Sequence, residues 1–258
     1  MFKLRGELCI GVGSFLSFAG LLLLIFVHVG QINTSTVPRQ IAMAKMNVSQ
    51  YGDTLRQGFA PDPITGLYTD NASAPLGVGA GIRNVYDFGL YSYCGYLDSK
   101  NGTCTKTTAG SRYEPYDVFT SDMTANYSRF TSSIINGTAF RDSNLLGGHT
   151  HSAYYLILLG TILTFVALFL GFVKHTFTFL ISTAFAAIAT LFILVGAALW
   201  TSAINQSQVL NGRVLAGTNI PVNIEVSFGT GMSLLWAAFA CLFASLIPYI
   251  ISCCTYRG

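Results

Sequence analysis

Four stretches of this chain are long, apolar and free of Asp, Glu, Lys and Arg: about Cys9 to Val27, Ser152 to Val173, Phe177 to Trp200, and Phe228 to Ser252. A bilayer core takes about 20 residues per helix. Within lipid the backbone must satisfy its own hydrogen bonds, so such stretches commit the chain to membrane helices. Composition agrees, with 52% of 258 residues apolar and 10% charged, where soluble domains carry about 25% charged.

Lys3 and Arg5 precede the first stretch, as in a signal peptide. Its run exceeds the roughly 7 to 15 residues of an h-region, and no clean small-x-small site follows, so we read it as a helix. The expected order is an inner N-terminus 1–8, a first span 9–29, a large outer loop 30–151 and a second span 152–173. An inner turn 174–176, a third span 177–200, a second outer loop 201–227, a fourth span 228–252 and an inner tail 253–258 complete it.

Orientation rests on two signals. The short inner pieces hold Lys3, Arg5, Lys174, His175 and Arg257, in keeping with the positive-inside rule. Seven Asn-x-Ser/Thr sequons, at Asn33, Asn47, Asn71, Asn101, Asn126, Asn136 and Asn205, all fall in the two loops assigned outside. Both termini are expected in the cytosol. That leaves almost no inner polypeptide for a kinase, nucleotide-binding or signalling domain.

Small residues let helix backbones approach in lipid, where apolar side chains gain little by leaving the bilayer for one another. Gly13, Ser17 and Gly20 share a face of the first span, and Gly160, Thr164, Ala167 and Gly171 of the second. Ser182, Ala186 and Thr190 do so in the third, and Ser233, Ala237, Cys241 and Ala244 in the fourth. Four such stripes predict a compact bundle, with the second and third helices antiparallel neighbours and a kink at Pro248. The rival reading is a transport path along those stripes. Many ion-coupled carriers use intramembrane ionisable groups, and these spans have none; a pore between several copies stays open.

The large loop begins with Ile41, Ala44, Val48, Tyr51 and Leu55 at helical spacing, which predicts an amphipathic helix. A Gly/Pro/Ala-rich connector from Pro61 to Gly81 should break regular structure. Ile82 to Tyr96 is aromatic and β-branched, and Asn101-Gly102 is a turn dipeptide, so Cys94 and Cys104 are expected to face each other across a hairpin. Outside the cell that pair should be oxidised. In the second outer loop Val222, Ile224, Val226 and Phe228 alternate with polar residues, a strand that should join the first loop's strands in one extracellular sheet capping the bundle.

Gly89-Leu90-Tyr91-x-x-Cys94 followed by Cys104, with four helices and a long first loop, resembles the claudin superfamily, whose loop carries Gly-Leu-Trp-x-x-Cys and a second Cys. Tyr91 replaces that tryptophan, no tryptophan stands upstream in the loop, and the loop is more than twice the usual length. Both departures are similar to the fungal branch, the eisosome-associated tetraspan proteins and their PalI relatives, which Gly229 to Trp236 also resembles. Such relatives often carry an inner tail longer than residues 253–258.

The resemblance implies a claudin-like, α-helical membrane protein: a four-transmembrane-helix bundle with an extracellular β-sheet cap. It implies a multi-pass plasma-membrane protein in cortical patches, without enzymatic activity or cofactor, serving membrane organisation, endocytosis and cell-wall integrity. Expected partners are membrane lipids, further copies or other cortical proteins in cis, and cell-wall glycans, with no nucleic acid. PalI relatives imply the alternative, accessory work in ambient-pH sensing. His28, His149 and His151 near the outer interface are the candidate pH sensors or metal ligands, against the plainer reading as polar helix ends. No metal site is expected.

The remaining motifs weigh little. Gly77-x-Gly79-x-Gly81 resembles a phosphate loop but lacks a following Lys-Ser/Thr, and reads as a flexible connector. His-Glu-x-x-His, Gly-x-Ser-x-Gly and Cys-x-x-Cys are absent from the sequence. Cys253 and Cys254 are either palmitoylation sites at the inner leaflet or free thiols. Cys9 and Cys241 read as apolar packing residues. Trp200, Trp236, Tyr154 and Tyr155 read as interfacial aromatics.

Overall fold

The computed structural model describes residues 2–59, 65–171 and 176–255. The expected inner turn at Lys174 and His175, the start of the connector at Pro61, and Tyr256, Arg257 and Gly258 lie outside the described residues. Four long helices, α1 (Phe2–Val29), α6 (Ser143–Gly171), α7 (Thr176–Ser207) and α8 (Thr230–Thr255), are apolar enough to cross a membrane. Between them in sequence lie α2 (Thr36–Gln40), β1 (Ala44–Asn47), α3 (Tyr51–Phe59), β2 (Val85–Phe88) and β3 (Tyr93–Tyr96). They are followed by β4 (Gly102–Cys104), α4 (Pro115–Asp122), α5 (Ala125–Ile134) and, before α8, β5 (Glu225–Phe228). The chain forms two compact units: Met1–His28, Ser152–Ala198 and Ser233–Gly258 in one, Val29–His151 and Leu199–Met232 in the other.

In the helical unit glycine on one helix receives a large side chain from its neighbour. A Cβ on Gly13 would lie 3.0 Å from the Tyr249 ring, and one on Gly20 3.0 Å from Leu242, so α1 and α8 meet there. Gly160 faces Ile193, and Gly196 faces Ile157, an antiparallel meeting of α6 and α7. Polar groups are internally satisfied, as lipid requires. The Ser182 hydroxyl donates to the Ala167 carbonyl at 2.7 Å, Thr164 and Thr190 to carbonyls four residues back, and Ser17 meets the Tyr249 hydroxyl at 3.3 Å. Phe15, Phe18, Phe165, Phe169, Leu191 and Phe243 point outward, an apolar belt suited to lipid.

The expected stripes on α1, α6 and α7 face the unit's interior. The stripe on α8 does not: Ser233 and Ala237 are exposed and Cys241 and Ala244 half-buried, while Leu235, Ala238, Leu242, Ser245 and Tyr249 are buried. The buried face is rotated because α8 supplies the knobs for the glycine notches of α1. Close approach needs a small residue on only one side of the contact.

The other unit is built on a five-stranded antiparallel sheet ordered β4-β3-β2-β1-β5. As expected, the strand between the third and fourth long helices joins those between the first and second, with Met46 opposite both Tyr86 and Val226. Strand β1 corrects the expected amphipathic helix. Ile41, Ala44, Val48, Tyr51 and Leu55 are all buried, yet 44–47 is a central strand and the helix starts only at Tyr51. A short apolar run fits either period, and pairing on both sides decided the outcome.

One sheet face holds Ala44, Met46, Tyr86, Phe88 and Val226, packed with Tyr113 and Trp200. Phe88 meets Tyr113 edge-on at 4.8 Å, and Tyr113 lies 5.7 Å from Trp200. Trp200 is 1% exposed and so is a core residue of this unit, correcting its expected interfacial place. Tyr154 is also buried, whereas Tyr155 and Trp236 are exposed.

Candidate functional site

On the opposite sheet face the register aligns Ser227, Lys45, Asp87, Cys94 and Cys104 in one row across all five strands. Cys94 and Cys104 are joined as a disulfide, with Cα atoms 3.9 Å apart in directly opposed positions. The hairpin is as expected, but it does not turn at Asn101-Gly102. Asp98 makes the reversal by accepting from the Lys100 and Asn101 backbone N–H groups at 2.7 and 2.8 Å, while Leu97 N–H donates to the Asn101 carbonyl. Gly102 sits in β4 against Tyr96, where a Cβ would lie 2.3 Å from the ring. Gly102 therefore serves close packing rather than a two-residue turn.

Gly89, Leu90, Tyr91 and Ser92 form the β2–β3 turn, closed by Gly89 N–H to the Ser92 carbonyl at 2.9 Å. A Cβ on Gly89 would come 2.6 Å from the Gly30 carbonyl, which is why the motif has glycine there. Leu90 is fully buried, and half-buried Tyr91 accepts at its carbonyl from Thr108 N–H at 2.8 Å. The hub of this turn is Gln31, which the sequence reading missed. It is fully buried at φ 55°, its carbonyl accepts from Ser92, its Oε1 from the Tyr96 hydroxyl at 3.0 Å, and its Nε2 donates to the Arg39 carbonyl at 2.8 Å. A lone glutamine after an apolar run carries no sequence signal for that role.

Gly229 and Gly231, in the stretch resembling the family at the start of the last helix, have the same kind of reason. A Cβ on Gly229 would fall 2.0 Å from the Ala42 carbonyl, and Gly231 N–H donates to that carbonyl at 2.7 Å.

Gly77, Gly79 and Gly81 are an ordered clasp, correcting the reading of a flexible connector. All three have positive φ, and their N–H groups reach the C-terminal end of α4: Gly77 to Asp122 Oδ1, Gly79 to the Ser121 carbonyl and Gly81 to the Asp122 carbonyl. The glycine pattern thus cradles the protein's own carboxylate and carbonyls. Asp122 also accepts from the Tyr86 hydroxyl at 2.7 Å, beside the fully buried Arg83. Burial lifts the Asp122 carboxyl above its usual range, against the opposing pull of Gly77, Tyr86 and Arg83.

Asp87, 4% exposed, lies 3.6 Å from Lys45, and burial raises its carboxyl to about 6 in spite of that lysine. The folded state therefore holds this proton more tightly than the unfolded chain, whose aspartates titrate near about 3.9. Its stabilising contribution is full below the unfolded value and is lost as pH rises through about 6. We expect the sheet unit to lose on the order of 2 to 3 kcal/mol from this group between pH about 4 and 7. Thermal unfolding of the purified protein across that range should show the loss, and Asp87→Asn should flatten it; an unchanged slope in the variant would exclude Asp87 as its source.

The histidines are not gathered. The hydroxyl of Thr161 donates to the Ile157 carbonyl at 2.7 Å, so His28 Nε2, 3.0 Å away, donates to Thr161. His149 and His151 lie on α6, not on an irregular segment, because Asp142 caps that helix by accepting from Leu145 N–H at 2.9 Å. His151 Nδ1 lies 2.9 Å from the Gly110 carbonyl, and His149 Nδ1 is buried without a hydrogen-bond partner among the described residues. Among the described residues no group of three or more His, Cys, Asp or Glu is placed to hold a metal ion.

All seven sequon asparagines are exposed and lie in the sheet-bearing unit. Asn205 stands on the last turns of α7, beyond the expected end of that span at Trp200. Asn33, Asn47 and Asn71 accept at Oδ1 from the N–H two residues on, while Asn101 donates to Asp98 and Asn136 accepts from Arg141. Cys241 is a free, half-buried thiol. The side chains of Cys9, Cys253 and Cys254 lie outside the described residues.

Four membrane-capable helices and a disulfide-stapled antiparallel sheet with the Gly89-to-Cys104 motif define a multi-pass tetraspan membrane protein of claudin-like fold. No curated protein matches the chain. The profile of the SUR7/PalI family matches residues 9–248, and the chain belongs to that family.

Proposed function

We propose that this protein is a non-enzymatic plasma-membrane organiser of cortical microdomains of the eisosome type, supporting membrane organisation, endocytosis and cell-wall integrity. The observation that carries this reading is the interior of the helical unit. Its glycine notches are filled by Tyr249, Leu242, Ile193 and Ile157, and its apolar spans lack Asp, Glu, Lys and Arg. A bundle packed shut in this way is suited to holding a shape in lipid, and it gives a carrier no charged relay. The sheet-bearing unit, with its sequons and disulfide, faces outward in this reading, where it meets wall glycans. Self-association or association with other cortical proteins in cis supplies the lateral order.

A tagged copy in fungal cells should form static cortical patches whose fluorescence recovers little after bleaching. Uniform distribution with fast recovery would sink the proposal. Dispersed histidines, each serving a local hydrogen bond or buried against its neighbours, give the ambient-pH alternative no assembled sensor to rest on.

A further inference from the structure

A polar cleft of about 310 Å³ opens in the sheet-bearing unit beside the exposed end of β1, with walls from Asn47, Ser49, Gln50, Arg213, Asn223 and Glu225. We propose that it seats the first sugars of an N-linked glycan carried by Asn47. The inference rests on the outward orientation of this unit. In the attachment step the Asn47 Nδ2 attacks the anomeric carbon of a lipid-pyrophosphate-linked oligosaccharide, loses one proton and expels the lipid pyrophosphate.

Three observations point to this occupant. First, the Asn47 carboxamide is held in place: its Oδ1 accepts from the Ser49 N–H at 3.0 Å and from the Ser49 hydroxyl at 2.8 Å. Those bonds use only Oδ1 of a residue that lines the cleft, and Nδ2, the atom that carries a glycan, has no hydrogen-bond partner among the described residues. At Asn101 the same atom is occupied, donating to Asp98 at 2.7 Å.

Second, the cleft's chemistry suits a neutral, hydroxyl-rich ligand. Arg213 and Glu225 make no ion pair among the described residues, and they bring one positive and one negative charge to the same cleft as the Gln50 amide. Among the described residues no aromatic ring lines it, which disfavours a flat or apolar guest.

Third, the walls are fixed in advance. The Asn211 amide pairs with both the N–H and the carbonyl of Val226, at 2.8 and 2.7 Å, covering the open edge of β5. Val222 N–H donates to the Arg213 carbonyl at 2.8 Å, and Asn223 Nδ2 donates to Thr54 at 3.2 Å. A prearranged site loses less freedom on binding. A ligand tethered at the rim has an effective concentration on the order of millimolar, so a few modest hydrogen bonds suffice to seat it.

The test uses the full chain from a glycosylating host, in detergent, digested with a peptide-N-glycosidase under native conditions and followed site by site by mass spectrometry. Release from Asn47 should run about tenfold slower than from exposed Asn71, the protection a few hydrogen bonds give. In the double variant Gln50→Ala, Arg213→Ala the lag should vanish while occupancy at Asn47 is unchanged. Equal rates in the parent, or a lag that persists in the variant, would overturn the proposal. So would an empty Asn47 beside occupied neighbours, leaving the outward orientation intact; seven empty sequons would overturn the orientation itself. Soluble chitobiose binding to a Ser49→Ala variant, with no lag in the parent, would assign the cleft to a free glycan instead.

Discussion

Replacing Asp122 with alanine is expected to destabilise the sheet-bearing unit by about 3 to 5 kcal/mol, the cost of removing one member of a buried charged network. The carboxylate receives Gly77 N–H and the Tyr86 hydroxyl, and its charge opposes that of Arg83. Arg83 is fully enclosed, its guanidinium donating to the carbonyls of Ala74 at 2.6 Å and Gly81 at 3.1 Å. Without Asp122 the arginine stays buried with its charge unopposed, and two donors lose their acceptor. Asp122→Asn keeps an acceptor for Gly77 and should cost less. Hydrogen exchange at Gly77, Gly79 and Gly81 would read the difference directly. A loss under about 1 kcal/mol for the alanine variant would mean that the clasp does not support the sheet.

Removing the disulfide by Cys94→Ser should cost about 2 to 3 kcal/mol in the chain-entropy account. The loss should be local. Strand β4 is three residues long, half-buried throughout and at the edge of the sheet, so the disulfide reinforces a ladder of only three residue pairs to β3. Exchange protection should fall at Gly102 to Thr105, while β1, β2 and β5, buried among Met46, Tyr86 and Val226, keep theirs. A collapse of protection across all five strands would show instead that the sheet depends on the disulfide as a whole.

Much of this architecture was legible because lipid and β-pairing leave strong periodic marks. Four uncharged apolar runs gave four helices, and alternation at Val222 to Phe228 gave a strand beside those of the first loop. The hairpin at Cys94 and Cys104 followed from the same logic, though Asp98 rather than Asn101-Gly102 turns it. What failed depended on partners far away in sequence. Ala44 to Asn47 became a strand because β2 and β5 flank it, and the α8 stripe turned away because Gly13 and Gly20 had already made room for its large residues. Trp200 looked like an interfacial anchor until Tyr113, far away in sequence, closed over it.

The site was less legible than the fold. Gly89 and Gly229 are informative only once the carbonyls of Gly30 and Ala42 are seen pressed against them. Gly77-x-Gly79-x-Gly81 looked like slack chain because its partners, Ser121 and Asp122, come some 40 residues later. Gln31 and Arg83, both fully buried, are polar residues that composition would have placed at the surface.

The proposed function requires the disulfide-stapled sheet unit to face outward. Topology mapping with single sequons tests it most directly. Variants retaining only Asn47, Asn71 or Asn136 should shift in mobility and lose that shift on deglycosylation, while a sequon inserted between α6 and α7 should stay unmodified. Modification of the inserted sequon, with the other three left bare, would contradict the account.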